Sequence, residues 1–559
     1  MRLDGLWDFA LLNELPDDIS TVAFDDQLMV PGCFDMDPRY MFARGVGIYR
    51  RMVTCGGFVH LEIGGLGLRG TVYFDGRELG RIETAYMAAD YRFHAGDLAA
   101  HELVIATDNR FDESPSSNFH EWYDICGYGG IYRHVDLSAE KEYWIDHISV
   151  VTTDYLTRAI RVRAQFGGRF PETLPCGISV DGGPATGINA HNGNLDLSLT
   201  LAESMGLWSP ESPVMHHLRL ETEEICRDIP FGIRQISIRD SRLHLNGTPL
   251  KLLGYNRHDA HPDFGAAMPR ERLMRDLRMI HDQGANFIRG SHYPQSEEML
   301  DECDRLGIMV WDESLGWEDS PEALIDPEFQ RKTLEQTRNM VRRSANHPCI
   351  VIWGFLNEMK SDDIRARDIV TKLVKAIHEE DDSRPVSYAT FTRQADQCLD
   401  LVDIITLNLY PGWYIHNSTA FFREEDIQED LDEMLDFVCG KYPGKPVIIG
   451  EIGASATPGW NDGTRWSELY QAQLDTAALR KAFRDPRLSG LAIWQFCNNR
   501  THNITEAGAH PHGFNNKGVL DEYRHPKYAW HAISQFFREI GRGRPGAVSA
   551  GRACTSFLE

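Results

Sequence analysis

Alternating apolar and polar residues dominate the first 137 positions of the chain. Short β-rich segments such as VHLEIGGLG, TVYFDGREL and HELVIATDN are separated by Gly, Asp and Asn, which favour turns. No long segment has the period of a helix. This pattern predicts an all-β domain over residues 1–137, folded as a jelly-roll-like β-sandwich.

The same alternation continues over residues 138–236, in segments such as WIDHISVVTT, IRVRAQFGG and MHHLRLETEE. Pro and Gly again separate the segments, as expected for turns between antiparallel strands. A length of about 100 residues is typical of an immunoglobulin-like sandwich. We therefore predict a second, smaller β-sandwich over residues 138–236.

From residue 237 to residue 559, apolar strand candidates alternate with long amphipathic segments. Eight strands are predicted, in the segments PLKLLGYNRH, NFIRGSHY, GIMVWDE, CIVIWGFLNE, PVSYAT, VDIITLNLY, KPVIIGE and LAIWQF. Among the amphipathic segments, PRERLMRDLRMIHDQG begins with Pro and ends with Gly, as helix termini prefer. Eight strands alternating with helices predict a closed (β/α)8 TIM barrel.

The bulk composition is that of a multidomain globular enzyme. A chain of 559 residues exceeds what one core can organise, and fractions of 42% hydrophobic and 25% charged residues are ordinary. The net charge of −26 argues against nucleic acid as a partner, because phosphate binding needs a basic face. No apolar run reaches the ~18 residues of a membrane span, so no membrane partner is expected.

Cysteine usage and the N-terminus indicate an intracellular protein. The 11 cysteines are scattered without a CxxC pair, which indicates reduced structural thiols. The N-terminus, MRLDGLWDFALLNEL, lacks a basic segment followed by an apolar core, so we expect no signal peptide. We predict a cytoplasmic homo-oligomer that uses no cofactor and no metal.

Two glutamates, Glu358 and Glu451, end very apolar β-branched segments, CIVIWGFLNE and KPVIIGE. A parallel β/α barrel places its catalytic side chains at these C-terminal strand ends. Two carboxyl groups across one barrel mouth are typical of glycosidic bond hydrolysis, which needs one protonated and one ionised carboxyl group. A single glutamate in this position often only caps the next helix, so the prediction depends on the pair.

Further polar and aromatic residues lie at the ends of the other predicted strands. Sugars need hydrogen-bonding groups for their hydroxyls and aromatic faces for their C–H surfaces. Arg289 can hold a nucleophilic carboxylate in place, and a salt bridge in the barrel rim is the structural alternative. The other candidates, each with a structural alternative such as core packing or a bond to the backbone, are His258, His292, Asn357, Asn408, Tyr410, Tyr414 and Trp494.

These segments resemble glycoside hydrolase family 2. The resemblance lies in NRHDAHPDFG, ANFIRGSHYPQSEEMLDECDRLGIMVWDE, NHPCIVIWGFLNE and IIGE, and in FHEWYDICGYGGIYRHV of the N-terminal region. It covers nearly the whole chain in the expected order. It implies a sugar-binding-type sandwich, an immunoglobulin-like sandwich and a catalytic TIM barrel.

The resemblance also implies a role for each candidate residue. Glu358 matches the family's general acid/base, Glu451 its nucleophile, and Asn357 the residue that binds the 2-hydroxyl. Asp124, in YDICGYGG, matches an aspartate that reaches the site from the N-terminal domain. The remaining matches to sugar-binding positions are His292, Asn408, Tyr410, Tyr414 and Trp494. The implied mechanism is retaining, with the two carboxyl groups ~5–5.5 Å apart.

Asn515 and Lys517, in GFNNKGVL, match the Asn-x-Lys motif with which the β-glucuronidases of this family grip the sugar carboxylate. A solvated Asn-rich turn is the structural alternative. The net charge of −26 opposes the binding of an anionic substrate, and a local cation would offset this repulsion. The resemblance thus implies an exo-β-uronidase for terminal β-D-glucuronides or β-D-galacturonides. A β-galactosidase or β-mannosidase of the same family, and a non-catalytic carbohydrate-binding protein, are the alternatives.

Three departures from the family pattern bear on specificity. Ile452 follows the nucleophile where many members have Tyr. No Arg precedes the Asn-x-Lys motif in HPHGFNN, so Arg500 is the candidate for a further carboxylate contact. The configuration at C4 of the sugar therefore stays open. The segment between Glu313 and Phe329 is short, which predicts an open mouth that accepts bulky or oligosaccharide aglycones.

Overall fold

Two β-rich regions precede a parallel barrel in the structure, a computed structural model that describes residues 1–414, 420–502 and 510–541. Residues 542–559, the end of the predicted barrel domain, lie outside the described residues. The cysteines of the described residues are free thiols. None of the described helices combines the length and the apolar character needed to cross a membrane.

The N-terminal region consists of antiparallel sheets around one core. In Phe58–Ile63, half-buried and buried residues alternate because successive side chains of a strand point to opposite faces. Phe9 of the six-stranded sheet and Leu61 of a three-stranded sheet lie in the same core. The six-stranded sheet has the order Asp26–Val30, Gly5–Leu12, Val46–Cys55, Ala99–Asp108, Arg69–Phe74 and Arg77–Ile82. The smaller sheets are Val135–Ala139, Phe58–Ile63 and Ala89–His94, and the pair Gly32–Cys33 and Gly130–Ile131.

The second region is one antiparallel sheet of seven strands that closes on a core of its own. Its two halves are joined only by the residue pair His191 and Asn194, and Val162 and Leu218 from the two halves lie in the same core. This arrangement fits the predicted sandwich, while the boundaries at residues 137 and 236 stay predictions. The strand order is Tyr143–Asp154, Ala159–Gly168, Asn194–Thr200, Thr186–His191, Thr173–Val180, His216–Glu221 and Cys226–Phe231.

Short strands connect the second region to the barrel and follow the last barrel strand. The pair Trp208–Ser209 and Ser212–Pro213 and the ladder of Ile236–Arg239, Arg242–Leu245 and Thr248–Pro249 precede the barrel. After the barrel strands, Asn499–Arg500 pairs with Phe514–Asn515. This last ladder brings the Asn-x-Lys motif back to the barrel mouth.

The predicted barrel of eight parallel strands is present, and it is closed except for a break in strand five. Strands one to four are Leu252–Asn256, Phe287–Gly290, Met309–Glu313 and Ile350–Gly354. Strands six to eight are Ile405–Asn408, Val447–Ile452 and Leu488–Ile493. Strand five is split in two: Val386–Ser387 pairs with strand four, and Ala389–Thr390 pairs with strand six. Tyr388, between the two halves, is where the barrel closes.

Amphipathic helices cover the barrel. The first begins after Pro269, and Gly284 ends it in the left-handed conformation, with φ 105, that glycine adopts most readily. This confirms the helix predicted from PRERLMRDLRMIHDQG. The helices are Arg270–Gln283, Glu297–Leu306, Pro321–Ile325, Pro327–Ser344, Ala366–Glu380, Glu424–Lys441, Glu468–Arg484 and Tyr528–Glu539.

A segment of the N-terminal region reaches the barrel mouth. Tyr123 and Ile125 from this segment share a core with Ala266 and Leu315 of the barrel. The ring of Tyr86 stacks on that of Tyr293, with centroids 3.7 Å apart and an interplanar angle of 5°. The two regions therefore form a packed interface directly beside the strand ends.

Candidate active site

A cavity of about 580 Å³ opens at the C-terminal ends of the barrel strands and contains both glutamates. Strand ends, the loops that follow them and the N-terminal segment all contribute to its wall. The lining residues are Trp122, Tyr123, Asp124, Ile125, His258, His292, Leu315, Trp317, Glu318, Glu358, Phe391, Arg393, Asn408, Leu409, Tyr410, Pro411, Tyr414, Asp430, Glu451, Trp494 and Lys517.

Glu451 lies in strand seven, and each of its carboxylate oxygens has its own donor. Nη1 of Arg289 donates to Oε1 over 2.7 Å, and the hydroxyl of Tyr410 donates to Oε2 over 2.6 Å. The Glu451 side chain is buried. These two donors, one of them a guanidinium, fix the direction of this carboxylate, as a nucleophile requires.

Arg289 is fully buried and organises the floor of the cavity. Its Nε donates to Oε1 of Glu313 over 2.6 Å and its Nη2 to Oδ1 of Asn357 over 2.7 Å. Burial by itself lowers the pKa of Arg289, but the charges of Glu313 and Glu451 raise it above its ordinary value. The guanidinium therefore keeps its charge, and its salt bridges lie inside the site, not at the barrel rim.

Glu358 has the opposite environment. Burial, followed by the negative charges of Glu451 and Glu318, raises its pKa to about 8. Nδ2 of Asn408 donates to Oε1 over 2.8 Å and Nε1 of Trp317 to Oε2 over 3.0 Å, which offsets the rise only in part. A carboxyl group with this pKa is protonated at neutral pH and can act as a general acid.

The backbone at Glu358 is held in an unusual conformation. Strand four ends at Gly354, and Glu358 lies in the left-handed region with φ 52, which costs a non-glycine residue energy. Its N–H donates to the carbonyl of Ala389 over 2.9 Å, in the second half of strand five. This bond across two neighbouring strands holds the acid in its position.

Two histidines and a tryptophan form an aromatic wall of the cavity. The rings of His292 and Trp494 stack with centroids 5.3 Å apart and an interplanar angle of 10°. Burial and the nearby charge of Arg289 lower the pKa of His292 to about 3, and burial lowers that of His258 as well. Both rings are therefore neutral at neutral pH, and such rings can donate to or accept from hydroxyls.

His258 does not make the hydrogen bonds to the backbone that were the structural alternative for it. Within the described part of the chain, neither of its ring nitrogens has a hydrogen-bond partner, although both are buried. A buried polar group without a partner costs free energy unless a ligand satisfies it. Because His258 lines the cavity, its nitrogens suit sugar hydroxyls.

Lys517 supplies a buried cation to the cavity wall. Its side chain is only 3% exposed, and its Nζ donates to the hydroxyl of Tyr414 over 2.8 Å. Asn515 donates through Nδ2 to Asp124, and Oδ1 of Asn515 accepts from the backbone N–H of Lys517 over 3.0 Å. The Asn-x-Lys motif is thus a structured part of the site and not a solvated turn.

Asp124 connects this motif to the N-terminal region. Burial by itself raises its pKa, but the hydrogen bond and charge of His510 and the charge of Lys517 lower it below the ordinary value. The carboxylate of Asp124 is therefore ionised near neutral pH and lies on the same wall as Lys517. Sequence reasoning identified Asp124 only through the family motif.

Four predicted residues do not line the cavity: Arg289, Asn357, Asn515 and Arg500. Asn515 donates to Asp124 of the lining. Asn357 and Arg289 lie beneath the cavity, where Oδ1 of Asn357 accepts from Asn408 over 3.1 Å as well as from Arg289. The guanidinium of Arg500 lies away from the lining, with its Cζ 5.0 Å and 4.6 Å from the ring centres of Phe42 and Phe514. Binding of the sugar carboxylate by Arg500 stays a prediction, and no contact among the described residues supports it.

Sequence reasoning missed several residues of the site. Trp317 lies in an irregular segment, so no period or strand end marked it. Glu313 ended a predicted strand, but only the structure shows that Oε2 contacts Nδ1 of His292 over 3.0 Å and that Oε1 accepts from Arg289. Phe391, Arg393 and Asp430 at the cavity wall had no signal in the pattern.

Two groups of acidic and histidine side chains that are close enough together to hold a metal ion lie outside the cavity, within the described part of the chain. One is His60, Glu62 and Asp90, where Arg343 already bonds both carboxylates. The other is Asp301, Asp304 and His347. Oδ1 of Asp304 accepts from a backbone N–H, and its Oδ2 contacts His347. Neither cluster bears on the chemistry of the two glutamates.

The family model and the solved structure that match this chain indicate the same family. Residues 236–499 match the family model described as glycosyl hydrolases family 2, TIM barrel domain. The structure superposes on a solved family 2 β-galacturonidase from Eisenbergiella tayi, bound to glycerol, with a TM-score of 0.88 and 31% sequence identity. The superposition covers 97% of this chain and 96% of that one.

Two curated relatives are β-glucuronidases. The enzyme of Streptococcus agalactiae is 28% identical over 445 residues, which cover 74% of this chain and 72% of the relative. That of Mus musculus is 29% identical over 451 residues, which cover 77% of this chain and 67% of the relative. Both matches cover a larger share of the chain than residues 237–559 do, so each extends into the N-terminal regions as well as the barrel.

Proposed function

Because the chain belongs to glycoside hydrolase family 2, we propose that it is a retaining exo-β-uronidase that removes terminal β-D-glucuronate or β-D-galacturonate residues. The observation that carries this proposal is the buried ammonium of Lys517 in the same cavity as Glu358 and Glu451. A cation in a dry pocket favours an anionic sugar by a charge-assisted hydrogen bond.

In the first step, protonated Glu358 transfers its proton to the glycosidic oxygen while the carboxylate of Glu451 attacks C1. The C1–oxygen bond of the leaving group breaks and an ester bond between C1 and Glu451 forms. In the second step, the Glu358 carboxylate takes a proton from water, which attacks C1 and releases Glu451. The opposite environments of the two carboxyl groups support this division of roles.

The remaining residues of the cavity position the sugar. His258 and His292 offer neutral ring nitrogens to hydroxyls, and Trp494 offers an aromatic surface. The carboxylate of the sugar lies against Lys517 and Tyr414 in this proposal. The likeness to the Eisenbergiella tayi β-galacturonidase supports galacturonides as the first substrates to test.

A panel of aryl β-glucuronide, β-galacturonide, β-galactoside and β-mannoside substrates tests the proposal. We expect kcat/KM to be highest for one of the two uronides. A preference for the galactoside or the mannoside would replace the proposal by the corresponding activity, and the lack of any hydrolysis would favour a carbohydrate-binding protein. Proton NMR of the first-formed anomer tests retention, since a retained β product is expected.

Lys517→Ala tests the origin of the preference for a uronide. We expect kcat/KM on the uronide to fall roughly 100-fold, because about 3 kcal/mol of charge-assisted contact is lost. Lys375→Met, at a side chain that is 75% exposed, serves as the control and should behave as the wild type. Unchanged uronide hydrolysis in Lys517→Ala would contradict the proposed role of this cation.

The assembly and the cellular location of the chain stay predictions. We propose a cytoplasmic homo-oligomer, as the sequence suggested. Gel filtration with light scattering tests the oligomeric state, and a monomer at micromolar concentration would contradict it.

A further inference from the structure

The cavity continues beyond the residues that surround the sugar. Strands three, four and five lie next to one another in the barrel, and Trp317, Glu358 and Phe391 follow them. In the proposed mechanism Glu358 protonates the leaving oxygen, so the leaving group lies on the side of the cavity where Glu358 follows strand four. Trp317 and Phe391, after strands three and five, flank Glu358 on this half of the mouth. The ammonium of Lys517 lies elsewhere, beside the hydroxyl of Tyr414, which follows strand six.

We propose that Trp317, Phe391 and the ion pair of Arg393 with Asp430 form a leaving-group subsite that takes a neutral sugar ring. This inference rests on the proposed function, because it assumes that Glu358 protonates the leaving oxygen. It assigns an oligosaccharide, cleaved from its non-reducing end, as the substrate class.

Trp317 places this subsite at the bond that breaks. Its Nε1 donates to Oε2 of Glu358, the carboxyl group that protonates the leaving oxygen, over 3.0 Å. Whatever is attached to that oxygen must pass close to the indole. The ring of Tyr123 packs edge-on against the indole, with centroids 5.5 Å apart. The Tyr123 hydroxyl accepts from the backbone N–H of Trp317 over 3.2 Å. The indole is thus a fixed wall.

Phe391 offers a second aromatic surface. Its side chain is 36% exposed although it lines the cavity, and Nζ of Lys360 lies 4.5 Å from its ring centre. The part of the ring that Lys360 does not cover is an exposed apolar surface at the cavity wall. Such surfaces suit the C–H faces of sugar rings.

The charged side chains of this half of the mouth form ion pairs. Nη2 and Nη1 of Arg393 donate to Oδ1 and Oδ2 of Asp430 over 2.7 Å and 3.2 Å. Lys360 lies 3.4 Å from Glu318. Each cation has a carboxylate partner, so a second uronate gains little here. A rigid two-bond pair still leaves donors and acceptors for hydroxyls, which favours a neutral sugar.

Three substrates with the same terminal uronate test the subsite: an aryl β-uronide, a disaccharide with a neutral hexose, and a disaccharide with a second uronate. The wild type should cleave the neutral disaccharide with a kcat/KM at least about tenfold above that of the diuronate. Phe391→Ala and Arg393→Ala should each lower the ratio of kcat/KM between the neutral disaccharide and the aryl uronide about tenfold.

Arg219→Ala is the matched control. Arg219 makes a similar two-bond pair with Asp228, at 2.8 Å for both bonds, in the second β region far from the cavity. We expect this variant to keep the wild-type ratio. A thermal unfolding curve like that of the wild type checks the folding of each variant, and Asp430→Asn provides a further disruption of the pair.

Equal cleavage of the two disaccharides by the wild type, or an unchanged ratio in Phe391→Ala and Arg393→Ala, would overturn the subsite. A failure of the proposed function looks different, because the aryl uronide itself is then not cleaved. In that case the same ratio is measured with the glycone that the aryl panel identifies. That ratio of kcat/KM values then decides whether the subsite exists.

Discussion

At the scale of single residues, two identical side chains acquire opposite properties from their neighbours. Glu451 has a guanidinium and a phenol on its two oxygens. Glu358 has no cation among its hydrogen-bond partners, and burial and the charge of Glu451 raise its pKa to about 8. Environments that differ in this way divide acid and nucleophile roles between two carboxyl groups.

This difference predicts the alkaline limb of the pH profile. The first step needs protonated Glu358, so kcat/KM should fall as the pH rises through the pKa of about 8. Trp317→Phe removes a donor that favours the carboxylate form, so the pKa should rise and the limb should move to higher pH. Trp460→Phe, at a side chain that is 46% exposed and outside the lining, is the control. A limb that stays in place or moves to lower pH in Trp317→Phe would contradict this account.

At the scale of elements, the segment with the Asn-x-Lys motif is held from beneath by Lys527. Its Nζ donates to the carbonyls of Ala456 and Asn516 over 3.1 Å and 2.9 Å, and to Oδ1 of Asn498 over 2.9 Å. Ala456 follows strand seven, Asn516 lies inside the motif, and Asn498 follows strand eight. The buried Nζ of one lysine thus joins three segments that are distant in sequence.

Lys527→Met should therefore loosen the grip on the sugar carboxylate. We expect KM for the uronide to rise about tenfold or more, because three buried acceptors lose their donor and the motif shifts. The kcat/KM for any neutral aryl glycoside that the enzyme accepts should change less. Lys375→Met replaces an exposed lysine in the same way and should leave both values unchanged. Equal losses on charged and neutral substrates would indicate general damage to the fold instead.

At the scale of the whole molecule, the site is completed by the N-terminal region. Asp124 and Tyr123 reach the cavity from that region, and the stacked rings of Tyr86 and Tyr293 lie in the same interface. The barrel alone would lack one wall of its cavity. The two regions therefore act as one catalytic unit.

Tyr86→Ala should uncouple this interface. Loss of a buried aromatic side chain costs about 3 kcal/mol, so the melting temperature should fall, and kcat/KM of the remaining folded enzyme should fall as well. Tyr86→Phe keeps the ring and should resemble the wild type. Tyr49→Ala removes an equally buried tyrosine inside the N-terminal core and should lower stability without lowering kcat/KM. Equal activity of the two alanine variants would argue against the coupling.

Most of the architecture was predictable because it follows from local periodicity. Each of the eight barrel strands overlaps the segment predicted from its apolar run, although strand eight begins at Leu488, three residues before LAIWQF. Glu358 and Glu451 lie at the mouth as expected. The split of strand five was not predicted, since it depends on how the barrel closes. Trp317 was missed because irregular segments carry no periodic signal.

The sequence by itself determined the chemistry that the molecule has available: two glutamates after apolar strands, aromatic residues beside them and one lysine in a recognisable motif. The order of strands and helices also followed from it, because hydrophobic periodicity is local. Only the tertiary structure decided that Glu358 is protonated at neutral pH, since its burial and the nearby charges of Glu451 and Glu318 come from segments that are distant in sequence. It also decided that Lys517 is buried in the same cavity as Glu358, because long-range packing, and not local pattern, determines burial and distance.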